Sequence, residues 1–118
     1  SPARVTSAIT VGATGAYPSL GLNYDAMASY SNYGSVVDIF APGTSILSDW
    51  IKSTSSTALS SGTSMATPHV TGVAALFLAQ NPTSLPSQVQ TYIKSSASKN
   101  KISGLKGNTV NSLLYTNY

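Results

Sequence analysis

Apolar positions follow two different rhythms along this chain. Val5-Thr6-Ser7-Ala8-Ile9-Thr10-Val11 carries β-branched residues in partial alternation and stops at Gly12, which predicts a strand. Val36-Val37-Asp38-Ile39-Phe40-Ala41 is nearly continuous and ends at Pro42-Gly43, the pattern of a strand covered on both faces in a parallel sheet. Ile46-Leu47-Ser48-Asp49-Trp50-Ile51 predicts a third strand, and the Gly-, Tyr-, Asn- and Ser-rich run from Gly15 to Gly34 reads as a long surface loop. After the polar turn Ser53 to Ser56 the rhythm changes. Met65 to Ala79 has the length and Ala/Leu content of a helix, with Gly62, Thr63 or Ser64 placed to cap it and Pro68 acceptable in or beside the first turn. Val73 to Ala79 is apolar all round the axis, so this helix demands cover on every side, more than three strands provide. Asn81-Pro82 ends it. A second helix opens at Leu85-Pro86 and is amphipathic, with Val89, Tyr92, Ile93 and Ala97 on one face. The apolar piece 110–115 is available to pack back on the body.

Composition narrows the class. A length of 118 residues suits one small domain or a piece of a larger one. Charged residues are 8% and apolar ones 42%, which excludes charge-driven disorder. With no Glu, surface polarity falls to 21 Ser and 13 Thr. The absence of Cys excludes a disulfide, a thiolate metal site and a Cys nucleophile. No apolar run approaches the roughly 18 to 20 residues that cross a bilayer, so no membrane partner is expected. Ser1-Pro2-Ala3-Arg4 is neither a translation start nor a signal peptide, which suggests an N-terminus made by cleavage or by an artificial boundary.

The net charge of +3 is unevenly placed. Arg4 and Lys52 stand against Asp25, Asp38 and Asp49, whereas Lys94, Lys99, Lys101 and Lys106 face no acid in residues 94–118. Without Arg or interleaved aromatics these lysines read as a solvated surface segment rather than a nucleic-acid footprint. A basic binding surface is the weaker alternative, and salt-sensitive binding would be its mark.

Candidate chemistry concentrates at the junction of a Gly-containing turn and the apolar helix. The first helical amides have no intrahelical acceptor and carry about half a positive charge of macrodipole, so an oxyanion formed beside Ser64 would be stabilised there. Taken alone, a Ser before a helix is more simply an N-cap.

The nine residues Gly62-Thr63-Ser64-Met65-Ala66-Thr67-Pro68-His69-Val70 change that balance, because they resemble without a gap the nucleophile motif of the subtilisin-like serine endopeptidases. Val11-Gly12-Ala13, Ser31-Asn32-Tyr33-Gly34, Val37 to Gly43 and Ile46-Leu47-Ser48 also resemble the C-terminal part of the proteinase K branch, and Val110-Asn111 with Leu113 its tail. The resemblance runs over nearly the whole chain and is interrupted by Gly15 to Ala28, a loop longer than its counterpart. It implies an α/β fold, the C-terminal part of a three-layer arrangement with a mainly parallel sheet and a central buried helix. Residues 1–118 would be the C-terminal portion of one peptidase domain, with 61–80 as the nucleophile segment and the N-terminal portion absent.

The resemblance implies nucleophilic acyl transfer on a polypeptide substrate: Ser64 attacks the carbonyl, a His accepts its proton and an Asp orients that His. Subtilisin is itself one of the standard examples of this triad, so these roles are borrowed from the family. The Ser64 amide and the Thr63 hydroxyl would face the oxyanion, although for Thr63 a local cap remains open. Gly62, Pro68 and His69 would be structural. His69, the only imidazole, lies five helical steps on, roughly 140° round the axis and about 7.5 Å along it, and points away from Ser64. None of the three Asp precedes Ser/Thr-Gly as the family's catalytic Asp does, and no His-Gly-Thr occurs. The acid, the base and the Asn of the oxyanion hole are expected on an N-terminal segment, the partner this chain requires. A non-catalytic remnant or an inactive relative retained as a binding module is the alternative.

Asp38, an acid in an apolar strand, needs a partner. In the proteinase K branch the matching Asp holds a structural calcium with carbonyls at positions matching Thr6 and Ala8, which makes calcium a possible cofactor here. Family habit, low charge and abundant hydroxyls point to secretion, with the vacuole as the alternative.

Overall fold

The computed structural model describes residues 2–17 and 22–117. Strand β1 (Val11–Tyr17) is followed in sequence by β2 (Leu22–Met27), and β3 (Ile39–Pro42) follows after an irregular stretch. A separate hairpin, β4 (Ile46–Asp49) and β5 (Thr57–Ser60), leads directly into α1 (Thr63–Gln80). Helix α2 (Pro86–Ser96) and two short strands, β6 (Ser98–Lys99) and β7 (Ser112–Leu113), complete the chain. The main sheet has the order β2-β1-β3-β7-β6. β1 and β7 both run parallel to β3, while β2 and β6 pair antiparallel at the two edges, so the sheet is mixed.

Several elements shift from the sequence expectation. The first strand lies at 11–17 rather than 5–11, because Val5 to Ala8 closes a turn with the Ala8 amide on the Val5 carbonyl, 3.0 Å. The expected loop from Gly15 contains the second half of β1 and all of β2, paired at Gly15↔Ala26 and Tyr17↔Leu22 across a bulge; its residues 18–21 lie outside the described residues. β5 was hidden among hydroxyl residues, and it pairs Leu59 with Leu47 and Ser60 with Ile46. The tail packs back as expected, β7 joining β3 through Leu113↔Phe40.

Alternation along β3 divides the core between the two sheet faces. Ile39 and Ala41 pack with Ala66 and Val70 of α1 and with Val89 and Ile93 of α2, whereas Phe40 points the other way, toward Met27, Val37 and Ile102. Ile39 and Phe40 are wholly buried, and each contributes about 1.5–3 kcal/mol relative to exposure. α2 begins with Pro86 at its first position, and the Leu85 amide donates to Gln88 Oε1 at 2.7 Å. Tyr92 stacks on Phe77 at 4.3 Å between ring centroids and joins the two helices.

Helix α1 is covered on one side only. Ala66, Val70 and Val73 are buried, while Thr67, Pro68, Thr71, Gly72, Ala75, Leu76 and Ala79 are exposed. No helix among the described residues is long and apolar enough to cross a membrane.

Candidate active site

Strand β3 and the hairpin that follows it place the start of α1. The Gly43 amide donates to the Thr14 carbonyl at 2.9 Å, and the Gly43 carbonyl accepts both the Gly62 amide at 2.8 Å and the Tyr30 hydroxyl at 2.8 Å. A Cβ on Gly43 would lie 2.7 Å from both the Ala13 Cβ and the Gly62 carbonyl oxygen, so only glycine lets the strand end and the helix start approach so closely. The Ser45 amide, on a residue with φ of 55°, donates to Ser61 Oγ at 2.8 Å.

Gly62 is the N-cap, in extended backbone and with no side-chain cap, so Thr63 and Ser64 are the first two helical residues and Ser64 is not a capping serine. The Met65 and Ala66 amides both reach back to the Gly62 carbonyl, at 3.0 and 3.3 Å. The Thr63 and Ser64 amides, at the first two helical positions, have no carbonyl four residues back within the helix. The Ser64 side chain is exposed and makes no hydrogen bond among the described residues. It lies between two depressions. One, of about 640 Å³, is lined by Thr63, Ser64 and Thr67 together with Thr10, Asn32 and Tyr33. The other, of about 330 Å³, is lined by Ser64, Met65, Pro68 and His69 under Ile46 and Leu47 of β4.

Pro68 sits at the start of the second turn of α1, beside the first turn. Having no N–H, it leaves the Ser64 carbonyl without its partner four residues on. Thr67 Oγ1 satisfies the neighbouring Thr63 carbonyl at 2.9 Å. His69 does line the second depression, yet its Nδ1 lies 2.9 Å from the Met65 carbonyl oxygen and donates to it. Among the described residues no hydrogen bond joins His69 to Ser64 or to an Asp. Asp25 accepts from Thr14 Oγ1 at 3.2 Å, and Asp49 stands exposed on β4.

Asp38 is engaged on both carboxylate oxygens. Oδ1 is 2.7 Å from Lys94 Nζ, and Oδ2 accepts the Thr10 amide at 2.9 Å. Two positively polarised N–H donors are the reverse of the oxygen shell that calcium takes, so these contacts do not fit the expected site with the Thr6 and Ala8 carbonyls. No three His, Cys, Asp or Glu side chains gather at a metal-binding distance among the described residues. Other lysines of the basic segment also find partners. Lys99 Nζ donates to the Lys94 carbonyl and to Ser112 Oγ, and Lys106 lies over the Tyr33 ring at 5.8 Å.

Sequence reasoning singled out Ser64 and its motif but missed Tyr30 and Gly43, which hold the helix start. Gly43 registered as the end of a strand and within a segment of family resemblance but with no role of its own, and a tyrosine hydroxyl in a polar loop carries no pattern that identifies its acceptor.

A model described as the subtilase family matches residues 1–113. The chain belongs to the subtilase family. It is 52% identical over 116 residues to an extracellular serine proteinase of Thermus sp. (strain Rt41A), which covers 98% of this chain and 27% of that protein. It is 49% identical to proteinase R of Parengyodontium album over 100% of this chain and 28% of the relative. Alkaline serine exoprotease A of Vibrio alginolyticus is 50% identical over 98% of the chain and 20% of its own length. A solved structure described as a cold adapted subtilisin-like serine proteinase matches with a TM-score of 0.88 at 47% identity, over all of this chain and 40% of that one. The chain therefore has the subtilisin-like α/β fold, and it spans well under a third of these curated relatives.

Proposed function

We propose that this subtilase chain supplies the nucleophile of a serine endopeptidase. The observation that carries the reading is Ser64 itself: exposed at the second residue of α1, between two depressions and beside amides without helical acceptors. Ser64 Oγ attacks the peptide carbonyl, its proton passes to an imidazole, and the Ser64 amide with Thr63 stabilises the oxyanion. The imidazole then returns the proton to the leaving amine, and water releases the acyl group from Ser64. Because His69 is committed to the Met65 carbonyl, the base and its orienting Asp come from polypeptide outside these 118 residues. That N-terminal segment also covers the exposed face of α1.

A fluorophosphonate probe tests this in the native protein. Labelling maps to Ser64 and is abolished by Ser64→Ala, which also lowers kcat by about 10⁶, the scale found for the nucleophile of subtilisin. Absence of labelling in folded protein would favour the second reading, a non-catalytic remnant or binding module. The engaged state of the only imidazole is what keeps that reading in view. Native and denaturing mass measurements show whether a second segment accompanies the chain, and a lone 12.1 kDa monomer as the labelling-competent species would count against the segment. Secretion is the proposed location, supported by the Thermus relative named extracellular, with the vacuole as the alternative.

A further inference from the structure

At Asp38 we infer that the chain carries its own cation: the Lys94 ammonium occupies the role of a bound metal ion and joins α2 to the strand starts. Asp38 directly precedes β3 and Thr10 directly precedes β1. The Thr10 amide donates to Oδ2 at 2.9 Å and Lys94 Nζ donates to Oδ1 at 2.7 Å, so one carboxylate bridges two parallel strands and a helix. Its side chain is only 16% exposed, and a carboxylate so placed needs a compensating positive charge. Lys94 supplies one from 56 residues away along the chain.

The lysine is held from behind as well. Lys94 lies in the last turn of α2, and its carbonyl accepts from Lys99 Nζ at 2.9 Å. Lys99 Nζ is fixed in turn on Ser112 Oγ of β7 at 2.8 Å, and Ser112 is 1% exposed. A continuous polar link thus runs from β7 through Lys99 and Lys94 to Asp38 and on to the entry of β1. A divalent ion at the same carboxylate would meet the ammonium and the amide dipole head-on, both repulsive. A tethered charge also pays no concentration-dependent cost, because it is not lost when free calcium falls.

This inference is independent of whether Ser64 reacts, and its test reads melting rather than peptidase activity. Thermal unfolding of the intact protein is followed in excess calcium chloride and in EGTA, for the natural sequence, Lys94→Met, Asp38→Asn and the double variant. Lys94→Met is expected to lower the melting temperature by a few degrees in calcium as well as in EGTA, and to cost nothing further in the Asp38→Asn background. Any calcium stabilisation arising elsewhere should be equal with and without Asp38. The inference fails if Lys94→Met has no effect in calcium, or if its cost persists without Asp38. It fails equally if Asp38→Asn removes a calcium stabilisation present in the natural sequence. Should Asp38→Asn not fold, Lys94→Met in excess calcium still decides.

Discussion

The two sides of α1 are built from similar residues and have different surroundings. One side places Ala66 and Val70 against Ile39 and Ala41 of β3 and against α2, with Val73 also buried and Phe77 closing onto Tyr92. The other repeats at helical spacing through Ser64, Thr67, Pro68, Thr71, Gly72, Ala75, Leu76 and Ala79, and every one of these is exposed. Leu76 remains 46% accessible, and no charged residue interrupts the row. A helix with polar cover would place Lys or Glu there, because solvation is cheaper than bare apolar surface. The contrast teaches that the apolar pattern of a helix and the cover it receives are separate facts: within these 118 residues this helix is covered on one side only. The proposed nucleophile Ser64 begins the uncovered row, so on that proposal the cover and the base would come from the same side.

The largest expected effect separates the two sides directly. Val70→Asp buries a carboxylate with no partner and should cost several kcal/mol in any context. If the proposed N-terminal segment packs on the outer row, Leu76→Asp in the protein that labels at Ser64 should cost about 3 kcal/mol or more. Bare in water, the same change should stay within about 0.5 kcal/mol. Urea unfolding of the two variants side by side distinguishes these outcomes, and a neutral Leu76→Asp in labelling-competent protein would remove the argument for cover.

The same contrast explains what was legible in the sequence. The apolar run from Val73 to Ala79 announces a buried helix because each residue adds to one signal, and the nine-residue motif fixes where Ser64 falls on it. Asp38 was legible as an acid needing a partner, but the partner is 56 residues away and could not be found by periodicity or spacing. β2 and β5 were missed for a related reason. Their residues, such as Asn23-Tyr24-Asp25 and Thr57-Ala58-Leu59-Ser60, have weak intrinsic strand patterns and are held by cross-strand pairing to β1 and β4. The Gly43 carbonyl's hold on the Gly62 amide, and the Tyr30 hydroxyl's on that same carbonyl, lie wholly in backbone and hydroxyl contacts, which leave no hydrophobic trace.

Gly43 belongs to the inner side, where α1 meets the sheet. Gly43→Ala puts a methyl 2.7 Å from both the Ala13 Cβ and the Gly62 carbonyl oxygen, and 3.3 Å from the Ala66 Cβ. Two of those three obstacles sit on or beside the start of the helix, so relief must move Gly62 and with it Ser64. A stability loss of about 1–3 kcal/mol is expected from overpacking. The fluorophosphonate labelling rate should fall by more than the change in folded fraction explains. A variant that unfolds more easily yet labels at the natural rate when folded would show that Gly43 supports the fold without aiming the serine.

Gly72 provides the smallest effect and the most discriminating one, because its sign depends on the cover. A Cβ built at Gly72 meets nothing within 4 Å, so inside these 118 residues Gly72→Ala should only gain helix propensity, about 0.5–1 kcal/mol. Gly72 lies in the middle of the outer row, flanked by Thr71, Ala75 and Ala79, whose short side chains would let another segment approach the helix closely. With that segment in place the added methyl must find room against it, and Gly72→Ala should destabilise by about 1–3 kcal/mol. Matched urea titrations of the 118-residue chain, where it folds, and of the labelling-competent protein should therefore move in opposite directions. Movement in the same direction would mean that the outer face is met at a distance or left in water, and the division of α1 into a covered and an awaiting side would have to be withdrawn.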